Sequence, residues 1–251
     1  MLDATCEVNR ISVHYLRTGG ANPPVVLLHG LTCSGATWLP IARVLERNFD
    51  VVMPDARGHG GSSAPLHGYT YADHATDVIG LIDALELERP IVVGHSMGGM
   101  VAAVVATRAR LRGVVLVDPT FLSAERQREV RDSDVAEQHR RVLGLARADL
   151  VAELRTRHPQ RASELIELLA DARQRTSLAA FDVLTPPNPD YREVVRAIEA
   201  PSVLVIADRG VVTREQAAEL GMRVELITDA GHGVPFDQPG RLADVVAGML
   251  R

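Results

Sequence analysis

Two rhythms of apolar and polar positions run along this chain. Apolar runs of four to six residues occur at Pro24–Leu28 (PVVLL), 50–53, 90–93, Gly113–Val117 (GVVLV) and 202–207 (SVLVIA). Runs of this length without alternation predict strands buried on both faces. A last strand is predicted over 223–228. Between these runs the spacing turns helical. Trp38, Ile41 and Leu45 share one side of a predicted helix over 36–47, and Val78, Leu81, Ile82 and Leu85 one side of another over 71–85. Small and β-branched residues over 97–107 predict a third helix, Thr213 caps a helix that runs to Leu220, and residues 241–250 predict the last one. Strand–helix alternation of this kind predicts an α/β fold with a mostly parallel central sheet flanked by helices.

The rhythm breaks after Asp118. Residues 123–200 carry charged helical sequence with no convincing strand, including the amphipathic stretch ASELIELLADA at 162–172. Some eighty residues exceed any ordinary connection. The stretch 119–200 is therefore expected to be an inserted helical cap, and 1–118 with 201–251 the α/β core. No internal repeat is visible.

Composition narrows the chemistry. The net charge of −5 over 251 residues supplies no basic footprint, so a nucleic-acid partner is not expected. All 27 basic residues are arginine. Without lysine there is no Schiff base, no pyridoxal-phosphate anchor and no Walker-type phosphate lysine. The two cysteines, Cys6 and Cys33, fit neither a disulfide framework nor a zinc site. Residues 1–12 lack the basic start and apolar run of a signal peptide, and the apolar run at 100–106 is too short to span a bilayer. A cytoplasmic protein without membrane insertion is expected.

The strongest chemical signal is Gly94-His95-Ser96-Met97-Gly98-Gly99, set between a predicted strand and a predicted helix. That is the context a G-x-S-x-G nucleophile elbow needs. A sharp turn holds the serine in a strained backbone conformation, and the helix N-terminus aims backbone N–H groups at developing negative charge. A dinucleotide fingerprint would require glycine where Ser96 stands, so that reading fails.

On these residues the chain resembles the α/β-hydrolase superfamily over nearly its whole length outside the cap. His29-Gly30 resembles the family's His-Gly turn, which implies an oxyanion hole from the backbone N–H groups of Leu31 and Met97. The run Asp55-Ala56-Arg57-Gly58-His59-Gly60-Gly61-Ser62 resembles the family's D-x-R-G-H-G-x-S loop, with a structural role expected. Gly231-His232-Gly233 resembles the turn carrying the general base, which implies that His232 serves Ser96. His95 adjoins the serine, but its side chain is expected to point away. The triad acid has two candidates. Most family members carry it after the penultimate strand, where Asp208 lies but Gly210 occupies the usual place; another branch carries it before the cap, where Asp118 stands. Asp118 is preferred and Asp208 remains the alternative.

The resemblance implies hydrolysis of a small-molecule carboxylic ester or lactone through an acyl-enzyme, with no cofactor and no metal. Thioester or carbon–carbon bond hydrolysis and acyl transfer would use the same residues, and a ligand receptor on this fold could retain them. Trp38 and Phe121 are candidates for the substrate pocket, with core packing as the competing role.

Overall fold

The apolar runs form the middle of an eight-stranded sheet in the computed structural model, which describes residues 1–250. Strands β1 (Leu2–Val8), β2 (Ile11–Arg17), β3 (Pro24–Leu28), β4 (Asp50–Pro54), β5 (Ile91–His95), β6 (Gly113–Val117), β7 (Ser202–Arg209) and β8 (Arg223–Gly231) lie in the order β1-β2-β4-β3-β5-β6-β7-β8. From β4 to β8 neighbouring strands pair in parallel; β1 pairs antiparallel with β2, and β2 with β4. Every residue of β4, β5 and β6 is buried, which is why each strand has an apolar run at its centre.

Two helical layers cover the sheet. Helices α1 (Leu39–Leu45), α2 (Tyr71–Ala84) and α3 (Met97–Ala106) follow the strands of the first half. A capping box starts α2: the Thr70 side chain accepts from the Asp73 N–H, and the Asp73 carboxylate accepts from the Thr70 N–H. Between β6 and β7 come α4 (Ala124–Arg131), α5 (Val135–Leu143), α6 (Arg147–Arg157), α7 (Ser163–Gln174), a 3-10 segment Leu178–Leu184 and α8 (Tyr191–Arg196), with no strand among them. Helices α9 (Arg214–Glu219), α10 (Val234–Asp237) and α11 (Pro239–Gly248) complete the chain. One core cluster joins α2, α3 and α8 to the sheet, and a second joins α1 and α11 to its other face. A third is smaller and bears on function. Leu150, Val151 and Leu154 of α6 and Leu165, Ile166, Leu169 and Ala170 of α7 close over Cys33, in the loop after β3. The helical insertion thus rests on that loop through apolar contact.

The sequence pattern did not anticipate the β1–β2 hairpin. Strand β1 is mostly exposed and polar-interleaved, so it carries no apolar run; pairing along Leu2↔Arg17 through Val8↔Ile11 makes it a strand. Strands β5 and β8 extend past their apolar runs to His95 and Gly231, because backbone pairing continues through residues whose side chains are not hydrophobic. The helix expected over 36–47 is shorter and opens with a 3-10 turn, Gly35–Trp38. Among the described residues no helix is long and apolar enough to cross a membrane.

Candidate active site

Ser96 sits at the junction of β5 and α3 with φ 55° and ψ −118°, a conformation that costs a non-glycine residue about 1–3 kcal/mol. Four main-chain hydrogen bonds hold it there. The Ser96 N–H donates to Val117 O at 3.0 Å, and its carbonyl accepts from Gly99, Met100 and Thr120 at 2.9, 3.2 and 3.1 Å. The turn closes because positions 94 and 98 are both glycine: a β-carbon at 94 would lie 2.0 Å from the Gly98 carbonyl oxygen, and one at 98 would lie 2.3 Å from that of Leu28.

His232 reaches this serine from the turn between β8 and α10. Its Nε2 lies 2.9 Å from Ser96 Oγ, and its Nδ1 lies 2.6 Å from Asp118 Oδ2. A carboxylate only accepts, so Nδ1 carries the proton and the Nε2 lone pair faces the serine hydroxyl. Asp118 follows β6 with φ 38° and is fully buried. Its carboxylate also accepts from the Val211 N–H at 2.9 Å and the Val212 N–H at 2.9 Å, so no lone pair is stranded. The glycine at the usual acid position has a steric reason. A β-carbon on Gly210 would lie 2.6 Å from Asp118 Oδ1.

Asp208, the alternative acid, is exposed and turned away from the imidazole. It accepts from the Asp229 and Ala230 N–H groups at 3.2 and 3.1 Å, tying the end of β7 to the strand that leads into His232. The His95 side chain has no hydrogen bond to Ser96 among the described residues, but it is not idle. Its Nε2 donates to the His232 carbonyl oxygen at 2.7 Å, while its buried Nδ1 has no partner among the described residues. Burial, reinforced by His232, pushes the His95 pKa down to about 3, so this imidazole is neutral near pH 7. Sequence reasoning missed this contact; nothing local marks it, because 137 residues separate the partners.

The Gly30 main chain crosses close to the serine: a β-carbon there would lie 3.2 Å from Ser96 Cβ. The N–H groups of Leu31 and Met97 flank this point, and neither donates to a protein acceptor among the described residues. Two unclaimed donors beside a serine hydroxyl can receive an oxyanion. His29 fixes the first loop. Its Nε2 accepts from the Ala56 N–H at 2.9 Å, which puts the proton on Nδ1, 2.8 Å from Gly30 O. The adjoining Asp55 accepts from Gly35 N–H, Gly61 N–H and His14 at 2.7, 2.8 and 2.7 Å, and Arg57 forms a buried pair with Asp77 at 2.6 Å. His59 is buried and bonds the Arg57 carbonyl at 2.9 Å, away from Ser96 and His232.

Trp38 and Phe121 are each 2% exposed. Trp38 packs in the cluster of α1 and α11, and Phe121 stacks on Tyr191 with centroids 4.9 Å apart. Phe236 stands nearer the site, its ring 5.9 Å from that of His95. Arg161, from the segment between α6 and α7, lies over Phe236 at 5.2 Å and pairs with Asp237 at 3.0 Å. No sequence signal marked Arg161. Among the described residues no group of three or more His, Cys, Asp or Glu side chains is gathered as a metal site.

A sharp strand–serine–helix turn, an imidazole relay and free backbone donors on a mostly parallel sheet define the class of the protein. The chain matches the model of the alpha/beta hydrolase family over residues 25–245 and belongs to that family. It is 29% identical to N-formylmaleamate deformylase of Pseudomonas putida, over 92% of this chain and 90% of that protein. It is 31% identical to lipase LipV of Mycobacterium tuberculosis, over 96% of this chain and 98% of that protein. Among solved structures, E-2-(acetamidomethylene)succinate hydrolase has the same fold, with a TM-score of 0.87, 23% identity and coverage of 99% of this chain and 98% of that one.

Proposed function

We propose that this protein hydrolyses small carboxylic esters or lactones through an acyl-enzyme formed on Ser96. One observation carries the reading: the unbroken relay from Asp118 Oδ2 through His232 to Ser96 Oγ, at 2.6 and 2.9 Å. A serine hydroxyl is a weak nucleophile until a base takes its proton. As Oγ attacks the carbonyl carbon, His232 Nε2 receives that proton, and Asp118 stabilises the imidazolium. The carbonyl oxygen becomes an oxyanion between the Leu31 and Met97 N–H groups. One such donor is worth about 3 kcal/mol of transition-state stabilisation. Collapse of the intermediate breaks the bond to the leaving oxygen, which takes the proton from His232. Water, deprotonated by the same Nε2, then attacks the acyl-enzyme and releases the acid. On this reading the helical insertion roofs the substrate site.

A second reading has one specific support. A relative similar along nearly its whole length is a deformylase of N-formylmaleamate. The same residues would cleave a carbon–nitrogen bond if His232 delivered its proton to a leaving nitrogen.

The test is a panel of 4-nitrophenyl esters of graded chain length, lactones and matched formamides, with wild-type enzyme and Ser96→Ala. Continuous turnover by wild type and a loss of about 10³-fold or more in the variant, with an unchanged melting curve, is expected. A variant within about tenfold of wild type would overturn the serine mechanism. The substrate series ranks ester, lactone and amide directly.

A further inference from the structure

Arg173 is a partly buried cation of the insertion that no protein group claims among the described residues. It lies one helical turn beyond Leu169 and Ala170, on the α7 face that packs over Cys33. Its side chain is partly buried, yet no hydrogen bond or ion pair reaches its guanidinium among the described residues. Its neighbours are either paired or, like Arg157 and Arg175, exposed to solvent. Arg141, Arg147, Arg155 and Arg161 each hold a carboxylate. Glu153, whose field favours the Arg173 charge, is already held by Arg141 at 2.9 Å. Burial weakens the Arg173 charge, and the like charges of Arg157 and Arg161 weaken it further. A partly buried guanidinium without an anion is costly, which makes this a place where an added anion stabilises the protein.

The position of that anion follows from what the arginines adjoin. Cys33 is two residues beyond Leu31, the proposed oxyanion donor. Its buried thiol feels the positive fields of Arg173 and Arg161, in that order, against the burial that raises its pKa. Arg161 comes at the site from the other side. Its Nη2 lies against the Gly233 main chain, 2.7 Å from where a β-carbon would sit, next to His232. Its side chain is only 10% exposed. Asp237 answers Arg161 but is shared with the Gly231 N–H at 3.1 Å. Arg161 therefore borders the His232 turn, Arg173 sits on the helix face that covers the loop after β3, and Asp237 is the one acid paired with either of them among the described residues. The planar fork of an arginine matches a carboxylate in two parallel hydrogen bonds.

We infer that Arg173 receives a carboxylate of the substrate, with Arg161 as the second positive charge, so that this hydrolase acts on carboxylate-bearing small molecules. The inference rests on the reading of Ser96 as nucleophile.

Two matched pairs of esters test it. Mono-4-nitrophenyl glutarate against 4-nitrophenyl valerate places the charge on the acyl side; 4-carboxyphenyl acetate against phenyl acetate places it on the leaving side. Wild type is expected to favour the charged member of one pair by about tenfold or more in kcat/KM, expressed in KM and reduced by added salt. In Arg173→Gln that ratio should fall by about tenfold, and Arg173→Lys should restore part of it. Calorimetry with glutarate as the probe should show binding to wild type that weakens by a similar factor in Arg173→Gln. A charged-to-neutral ratio near one for both pairs in wild type overturns the proposal. So does a preference that survives in Arg173→Gln and in Arg173→Met with the melting curves intact. Failure of the serine mechanism has another signature: Ser96→Ala would turn over both members of each pair like wild type, while glutarate binding would still depend on Arg173.

Discussion

Gly210 and Asp118 compete for one space. A methyl group at position 210 would lie 2.6 Å from Asp118 Oδ1, and the carboxylate fills the volume the glycine leaves open. On the proposed mechanism, Asp118→Asn should lower kcat by about 10⁴-fold, or about 5 kcal/mol. Gly210→Ala should lower it less, by about 10–100-fold, because the carboxylate survives but is pushed off the imidazole. Initial rates on an activated ester, with melting curves, check both. Wild-type rates in both variants would remove Asp118 from the relay.

Asp208 should behave differently. Its two accepted bonds come from main-chain N–H groups of residues 229 and 230, and an amide oxygen accepts as well. Asp208→Asn is expected to keep turnover within about threefold, and Asp208→Ala to lower the melting temperature while leaving kcat largely intact. A collapse of kcat in Asp208→Asn at unchanged stability would contradict this.

His95 should act as a positioning residue. Its Nε2–H holds the His232 carbonyl at 2.7 Å, and removing it frees the turn that presents the base. His95→Phe is expected to lower kcat by about tenfold with KM little changed, since misplacement by a fraction of an ångström penalises the transition state. His95→Gln, which retains an N–H donor, should recover part of the loss. A purely structural His95 would lower the melting temperature and leave kcat alone.

Stability should depend on pH through His14. A hydrogen bond to Asp55 raises its pKa from 6.5 to about 9, against the opposing effect of burial and with Asp3 assisting. The folded state therefore binds this proton more tightly than the unfolded chain. The stabilisation is complete below pH 6.5 and is lost as pH rises through about 9. Melting temperature should fall across that window in wild type and fall less in His14→Gln. Identical profiles for the two proteins would show that the pair is not linked to folding.

The parts of this fold that are legible in the sequence are those with local causes. Strands β4, β5 and β6 are buried at every position, so each carries β-branched and aliphatic residues at its centre. The elbow is legible because the glycine at 94 answers a steric demand within one turn: a β-carbon there would lie 2.0 Å from the Gly98 carbonyl oxygen. Strand β1 is less so: its exposed positions acquire a strand only by pairing with β2. The acid stayed open between Asp118 and Asp208 because the choice depends on which strand end faces the β8 turn. Gly210 is the local trace of the Asp118 carboxylate, whose Oδ1 a β-carbon there would meet at 2.6 Å. Arg161 and Arg173 left no trace, since helical patterning shows that a residue is charged but not which loop its helix face will meet.

The Asp118–Gly210 arrangement also divides labour between main chain and side chains. The β7–α9 loop serves the relay through two peptide N–H groups, those of Val211 and Val212. Its contribution is thus nearly blind to side-chain identity. Val211, 44% exposed, can vary widely as long as it is not proline, which alone would delete the donor. Position 211 is free to diversify, while Val212 is held in the core and the steric constraint passes to a glycine that has no side chain to lose.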